Sequence, residues 1–367
     1  VNDTAARPSV ADALLGWYGA NARALPWRCP PGAALPGDPA WPYRVWLSEI
    51  MLQQTGVAVV RGYFGRFTTR WPDVAALAAA DDGDVMQAWA GLGYYARARN
   101  LLACARAVVA DHGGRFPVDE AILRGLPGIG DYTAAAIAAF AFGRRAIVID
   151  GNIERVTARL LALDVPLPGG RPAIRAALEG LVPANRAAGD FAQGLMDVAS
   201  RICTPRNPAC GACPLRTGCR AAATDDPAQW PVKAARRPRP VRLGTAWWIE
   251  ADGAVLTVVR PAKGLLGGMV TLPSSDWRDA AETPAPPIDG VPIDGVWADL
   301  GTVAHGFTHF ELQLRVRAIR LLVRPALAGE WRSVDEVAKA GLPTLFQKAV
   351  ALVHAHDWGQ KYDRSVR

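Results

Sequence analysis

Lysine is missing from the first 232 residues of this 367-residue chain; the first one is Lys233. That segment therefore has no side-chain amine to attack an electrophilic carbon and form an imine, which excludes lysine Schiff-base catalysis within it. Long apolar runs are missing as well. The longest, from Ala134 to Phe142, falls short of the roughly 18 residues that a membrane-spanning helix needs, and no membrane partner is expected. The N-terminus has no basic start followed by an apolar core, so an intracellular, reducing setting is expected. No repeat of solenoid period is found, and compositional bias is confined to alanine-rich stretches and the Pro/Gly/Ala segment from Cys29 to Ala40.

Cysteine is scarce but concentrated. Four of the six fall in one C-x6-C-x2-C-x5-C run, Cys203, Cys210, Cys213 and Cys219. Structural zinc commonly uses two C-x2-C knuckles, often with histidine, and this run has one knuckle and no histidine. Four thiolates around a compact iron–sulfur cluster suit the unequal loops better; a pair of disulfides is the remaining reading. Cys29 and Cys104 stand apart and read as small buried hydrophobes.

Half of the residues are apolar, enough for a substantial core and, at this length, for two domains. The net charge of +7 and a pI near 9.3 favour an anionic partner. Lys233, Arg236, Arg237, Arg239 and Arg242 cluster with Pro231, Pro238 and Pro240, which reads as an extended basic linker over 223–242, either merely solvated or lying along phosphates. Before it, apolar residues recur at three and four in segments such as 74–90, 99–110, 132–142 and 153–162, predicting helices. After it, Leu312, Leu314, Val316 and Ala318 alternate with Gln313, Arg315 and Arg317, and 245–250, 254–260 and 269–272 are also strand-like, predicting a separate α/β domain.

Three constellations carry candidate chemistry. Gly128 and Gly130 in Leu-Pro-Gly-Ile-Gly-Asp-Tyr-Thr precede a helix and read either as a tight turn or as exposed backbone N–H groups able to hold a phosphate. Glu49 has Val45, Trp46 and Leu52 as helical neighbours; it either reaches a helix edge or sits on an apolar face, where burial raises its pKa toward that of a general acid. Asp150 ends Ala146–Ile149 and precedes a helix, as an N-cap or as a functional carboxylate.

Together these motifs resemble the helix-hairpin-helix DNA glycosylases, and within them the MutY-type adenine glycosylases. The cysteine spacing is similar to their [4Fe-4S] loop, Trp46–Thr55 to their WLSE-[IV]-MLQQT motif, and Leu25-Pro26-Trp27-Arg28 to their LPWR motif. The resemblance implies a mainly α helix-hairpin-helix glycosylase domain over 1–222, with its hairpin near 121–140 and its cluster loop at 203–219. An α/β Nudix-like domain follows over 243–367, joined by the linker. It implies removal of adenine mispaired with 8-oxoguanine or guanine in double-stranded DNA, by a monomer in the bacterial cytoplasm at the nucleoid. Endonuclease III-type lyases carry lysine where Tyr132 stands, so a monofunctional, water-using enzyme is implied over a glycosylase/lyase for oxidised pyrimidines. A non-catalytic cluster-bearing sensor would not need both carboxylates.

On this resemblance Glu49 is the proton donor and Asp150 the carboxylate facing the sugar, acting through its charge or a transient adduct. Asn152 and Tyr132 position water. Trp27, Arg28 and Gln193 form the adenine pocket, although Gln193 also suits plain helix packing. Gln54, Thr55 and Tyr94 match residues at the duplex, and Gly128 and Gly130 grip its backbone. Phe307-Thr308-His309 is similar to the F-S-H loop that reads 8-oxoguanine, with Thr308 replacing serine and adding a methyl; an ordinary edge-strand histidine is the alternative. Glu154 stands where relatives often carry a basic residue, removing one phosphate contact. Gly264–Met269 is similar to a G-L-W-G-G turn, but no Glu-rich Nudix helix follows and pyrophosphate hydrolysis is not expected.

Overall fold

The computed structural model describes residues 9–234, 238–261, 264–282, 293–338, 340–356 and 358. The chain divides into two compact units, Val1–Ala235 and Arg236–Arg367. In the first, helices follow one another: α1 (Val10–Asn21), α2 (Trp41–Leu52), α3 (Val57–Arg70), α4 (Val74–Ala78), α5 (Asp82–Trp89), α6 (Ala96–His112), α7 (Glu120–Arg124), α8 (Asp131–Phe142), α9 (Gly151–Leu161), α10 (Arg171–Leu181) and α11 (Ala187–Arg201). None of the described helices is long and apolar enough to cross a membrane.

The starts of these helices are set by local chemistry. Asp73, Asp81, Asp119 and Asp150 each accept backbone N–H groups of the first turn they precede, satisfying donors that a helix cannot pair internally. Pro42 and Pro172 occupy first-turn positions where their missing N–H costs nothing. Helix α8 is apolar around nearly its whole circumference and is buried from Thr133 to Ala141, so it forms the centre of the unit, with α2, α7 and α11 packed on it. The turn before α8 requires glycine at one position. Gly128 has φ of 73°, and a Cβ there would lie 2.7 Å from Asn100 Cβ.

Residues 223–234 depart from the extended linker that their composition suggests. Trp230 is buried; its indole N–H donates to Asp164 Oδ1 at 3.1 Å and its carbonyl accepts from Arg159 at 3.0 Å. Lys233 bridges to Leu167. One buried tryptophan outweighs the prolines and charges around it, because an indole buries more apolar surface than the segment's composition reveals. Arg236 and Arg237 lie outside the described residues.

The second unit is a mixed sheet with strand order β3-β2-β1-β6-β5, where β1 is Val241–Ala251, β2 Ala254–Val259, β3 Val270–Thr271, β4 Arg278–Asp279, β5 Ala298–Gly306, β6 Glu311–Leu321 and β7 Glu330–Ser333; β4 pairs with β1 and β7 with β2. Strands β1 and β6 run parallel from Val241 opposite Glu311 to Ala251 opposite Leu321. Leu312, Leu314, Val316 and Ala318 all face the core, as their period-two spacing predicts. After the short α12 (Val334–Val337), α13 (Thr344–His354) lays Leu345, Phe346, Ala349, Val350 and Val353 on that face. The opposite face carries a smaller cluster around Trp247, Ile249, Leu256 and Ile319.

Candidate active site

Helix α2 carries Glu49 into the interior, only 6 % exposed, and α8 brings Tyr132 against it. Tyr132 Oη donates to Glu49 Oε2 at 2.6 Å. Burial pushes the Glu49 carboxyl up to about 7; the Tyr132 hydrogen bond and the Arg28 charge oppose this, and Asp150 adds to it. The Tyr132 hydroxyl is held well above its usual range, first by burial and then by Glu49 and Asp150. The edge-of-helix reading of Glu49 therefore fails: this is a buried carboxyl that exchanges its proton near neutrality.

Asp150 is both an N-cap and part of this group. Its Oδ1 accepts the backbone N–H groups of Asn152 at 3.0 Å and Ile153 at 2.7 Å, and its Oδ2 accepts from the Asn152 amide at 2.8 Å. The N-terminus of α9, with its positive dipole end, faces that carboxylate. Asp150 and Tyr132 line one open cavity of about 510 Å³, together with Ile147, Ile149, Arg171 and Arg175. Glu154, on the same rim, is mostly covered and pairs with Arg171 at 2.6 Å.

The three adenine-pocket candidates are tied to protein partners. Trp27 is 3 % exposed and stands edge-on to Phe64, with ring centroids 5.0 Å apart, so its indole is not an open stacking platform. Arg28 Nη1 contacts Asp197 Oδ1 at 2.8 Å, and Arg23 shares the same fully buried carboxylate. Tyr18 Oη donates to Gln193 Oε1 at 2.7 Å, and Gln193 lines a cavity with Cys29 and Phe140, separate from the one at Asp150. Sequence reading missed Tyr18, Arg23 and Asp197, whose pairings span more than 160 residues of chain and leave no local pattern.

Gln54 and Tyr94 share a geometry that composition does not show. Both are exposed residues in left-handed backbone, with φ of 58° and 48°, a conformation uncommon outside glycine. Arg97 hydrogen-bonds to both turns, including to Thr55 Oγ1 at 3.2 Å. In the second unit, Phe307 packs on Trp277 and Phe310 while Thr308 and His309 are exposed. Arg239 donates to the Phe307 carbonyl at 2.9 Å and pairs with Glu311. This arginine, read from sequence as part of a linker either solvated or lying along phosphates, braces the loop.

Cys203, Cys210, Cys213 and Cys219 face one cavity, lined also by Val156, Leu160 and Leu215. All four are free of disulfides. Four thiols lining one cavity, with a single C-x2-C knuckle and no histidine, suit a four-thiolate cluster better than a zinc ion. Arg159 donates to Cys203 Sγ at 3.2 Å and to the carbonyls of Thr204, Pro205 and Trp230. Burial pushes the Cys213 thiol up to about 11. Arg155 donates to Asn152 Oδ1 at 3.1 Å and to the Cys203 carbonyl at 2.9 Å, joining the loop to the Asp150 turn.

Comparison with known proteins agrees with this layout. The family of HhH-GPD superfamily base excision DNA repair proteins matches residues 47–178, the iron-sulfur binding domain of endonuclease III matches 203–219, and the NUDIX domain matches 244–352. The chain is 32% identical to the adenine DNA glycosylase of Mus musculus, over 95% of this chain and 78% of that protein. It is 40% identical to the adenine DNA glycosylase of Mycobacterium tuberculosis over 55% of this chain and 64% of that one. Among solved structures, a thermostable thymine-DNA glycosylase aligns with a TM-score of 0.51 at 28% identity, covering 58% of this chain and 94% of that one. Cys203, Cys210, Cys213 and Cys219 would hold a [4Fe-4S] cluster, whose bonds to four thiolates fix the 203–219 loop.

Proposed function

We propose, for a chain that belongs to the adenine DNA glycosylase family, that it excises adenine paired with 8-oxoguanine or guanine in duplex DNA, with Glu49 as the proton donor. As a member it is a DNA glycosylase, a hydrolase of N-glycosyl bonds. The observation carrying the residue assignment is the buried Glu49 carboxyl, with a proton affinity near neutrality and a hydroxyl partner 2.6 Å away.

Cleaving an N-glycosidic bond leaves electrons on the departing base and positive charge on the sugar. Glu49 delivers its proton to a ring nitrogen of the extruded adenine, N7 being the basic position on the accessible edge, and the base departs neutral. The Asp150 carboxylate, fixed by three hydrogen bonds, faces the cationic sugar and stabilises it. Water then adds to the anomeric carbon, oriented by Asn152 and Tyr132, and the proton it sheds returns to the carboxylates. Tyr132 supplies no amine, so the sequence stops at the abasic sugar.

Phe307, Thr308 and His309 are assigned to 8-oxoguanine on the opposite strand, and Gly128 and Gly130 to the DNA backbone, with the protein acting as a monomer. Arg28 and Gln193 are assigned to the edge of the adenine site, entered once the base leaves the helix; Trp27, packed edge-on against Phe64, is left without a stacking role. The test is product analysis with duplexes bearing A:8-oxoguanine, A:G, A:T and an oxidised pyrimidine. Free adenine from the first two, with strands intact until alkali and no borohydride-trapped adduct, supports the reading. Pyrimidine release or efficient trapping overturns it.

A further inference from the structure

Arg97, in the first turn of α6, holds two segments of chain at once. Its Nη1 donates to the carbonyls of Ile50 at 3.0 Å, Met51 at 3.0 Å and Gln53 at 2.6 Å, the open carbonyl end of α2. Its Nη2 donates to the carbonyls of Leu92 at 2.9 Å and Gly93 at 3.3 Å and to Thr55 Oγ1 at 3.2 Å. The guanidinium lies 5.2 Å from the Trp89 ring centroid and 5.7 Å from that of Tyr94, and the Trp89 indole N–H in turn donates to Gly93 O at 3.1 Å. Each held segment ends at a residue in left-handed backbone: Gln54 directly follows Gln53, and Tyr94 directly follows Gly93. Such conformations persist in non-glycine residues only where the surroundings over-determine them. Here Arg97 is the side chain that holds both turns, alongside the Trp89 indole on Gly93. The side chains of Gln54 and Tyr94, at the turns it holds, are both exposed, Tyr94 by 62 %.

We propose that Arg97 is a positioning residue that presents Gln54 and Tyr94 as one preformed wedge for the DNA stack. Resting on the adenine-excision reading above, it adds how the base is extruded. A side chain filling the gap left by a flipped base returns part of the lost stacking, and it does so best when its conformation is fixed beforehand. The same guanidinium holds the end of the helix that carries Glu49, so the wedge and the proton donor share one support. Only a planar fork with several separated donors can serve carbonyls from both segments; the compact lysine ammonium cannot reach all of them.

Single-turnover adenine release by wild type and Arg97→Lys should be compared on two substrates. One is an A:8-oxoguanine duplex; the other has adenine opposite an abasic analogue, where no base pairing opposes extrusion and the opposite strand already has a gap. The expected result is a loss on the order of 10- to 100-fold on the first substrate and of less than about threefold on the second, with 2-aminopurine beside the adenine showing reduced extrusion only in the first. Equal losses on both substrates, or none on either, would overturn the inference. Wild-type protein releasing adenine from neither substrate would instead refute the functional reading. If Arg97→Lys does not fold, Gly93→Ala carries the same comparison. Gly93 has φ of 69° with open space around it, so alanine strains the turn without touching Arg97, and the loss should again be confined to the paired substrate.

Discussion

The hydroxyl of Tyr132 donates to Glu49 Oε2 at 2.6 Å, so the carboxyl proposed as proton donor has a phenol as its hydrogen-bond partner. A donor to a carboxylate favours its charged form, so Tyr132 holds the Glu49 carboxyl below where burial alone would put it. Single-turnover excision should be level below about pH 7 and fall about tenfold per pH unit above it. In Tyr132→Phe the midpoint of that fall should move to higher pH. An unmoved midpoint would show that this hydrogen bond does not tune the acid.

The same group links stability to pH. Glu49 binds its proton more tightly when folded, at about 7 against 4.5 in its ordinary state. Its stabilising contribution is therefore complete below about pH 4.5 and is lost as pH rises to about 7. Glu49→Gln keeps an acceptor for Tyr132 but has no charge to bury. Denaturant unfolding should show it more stable than wild type near about pH 8, by up to about 3 kcal/mol, and equal near about pH 4. The opposite ordering at alkaline pH would mean that Glu49 is ionised at little cost.

The iron loop is tested through Arg159, which is 2 % exposed and contacts Cys203 Sγ and three backbone carbonyls. Protein purified under mild conditions should contain about four iron atoms per chain. Arg159→Met should lose at least about half of this iron, because buried carbonyls and a thiolate are left without their donor. Limited proteolysis should then cut within 204–234. Stoichiometric zinc in the unaltered protein would contradict the cluster assignment.

Lesion choice is tested in the second unit. Thr308→Ala combined with His309→Ala should reduce the preference for A:8-oxoguanine over A:G by roughly 1–3 kcal/mol, the worth of a well-formed base contact. Arg239→Ala should reproduce part of that loss, since Arg239 holds the Phe307 carbonyl. Equal weakening on both mispairs, steepening as salt is lowered, would instead assign the loop to phosphate contact.

What was legible in the sequence was short in range. The cysteine run, the string around Glu49 and the Leu312–Ala318 alternation each put their information within some twenty residues, and each has its structural counterpart in the thiol-lined cavity, the buried carboxyl and strand β6. What was not legible depends on partners far along the chain. Nothing local shows which partners Arg97, Arg155 and Arg159 take, yet they hold the turns at Gln54 and Tyr94, the Asp150 turn and the cysteine loop. Trp27 matched a motif whose expected stacking face is turned into the core against Phe64. Composition misled over 223–234, where Pro and charge suggested a linker and Trp230 anchors the segment.

The central claim is that a buried, neutral Glu49 delivers the proton that frees the base. Its most direct test is single-turnover release of adenine from an A:8-oxoguanine duplex by Glu49→Gln, with DNA affinity measured alongside. The account predicts binding within a few-fold of wild type and excision slowed by at least about 10²-fold, the lower range of general-acid contributions. Near-normal excision by this variant, with intact binding, would contradict it.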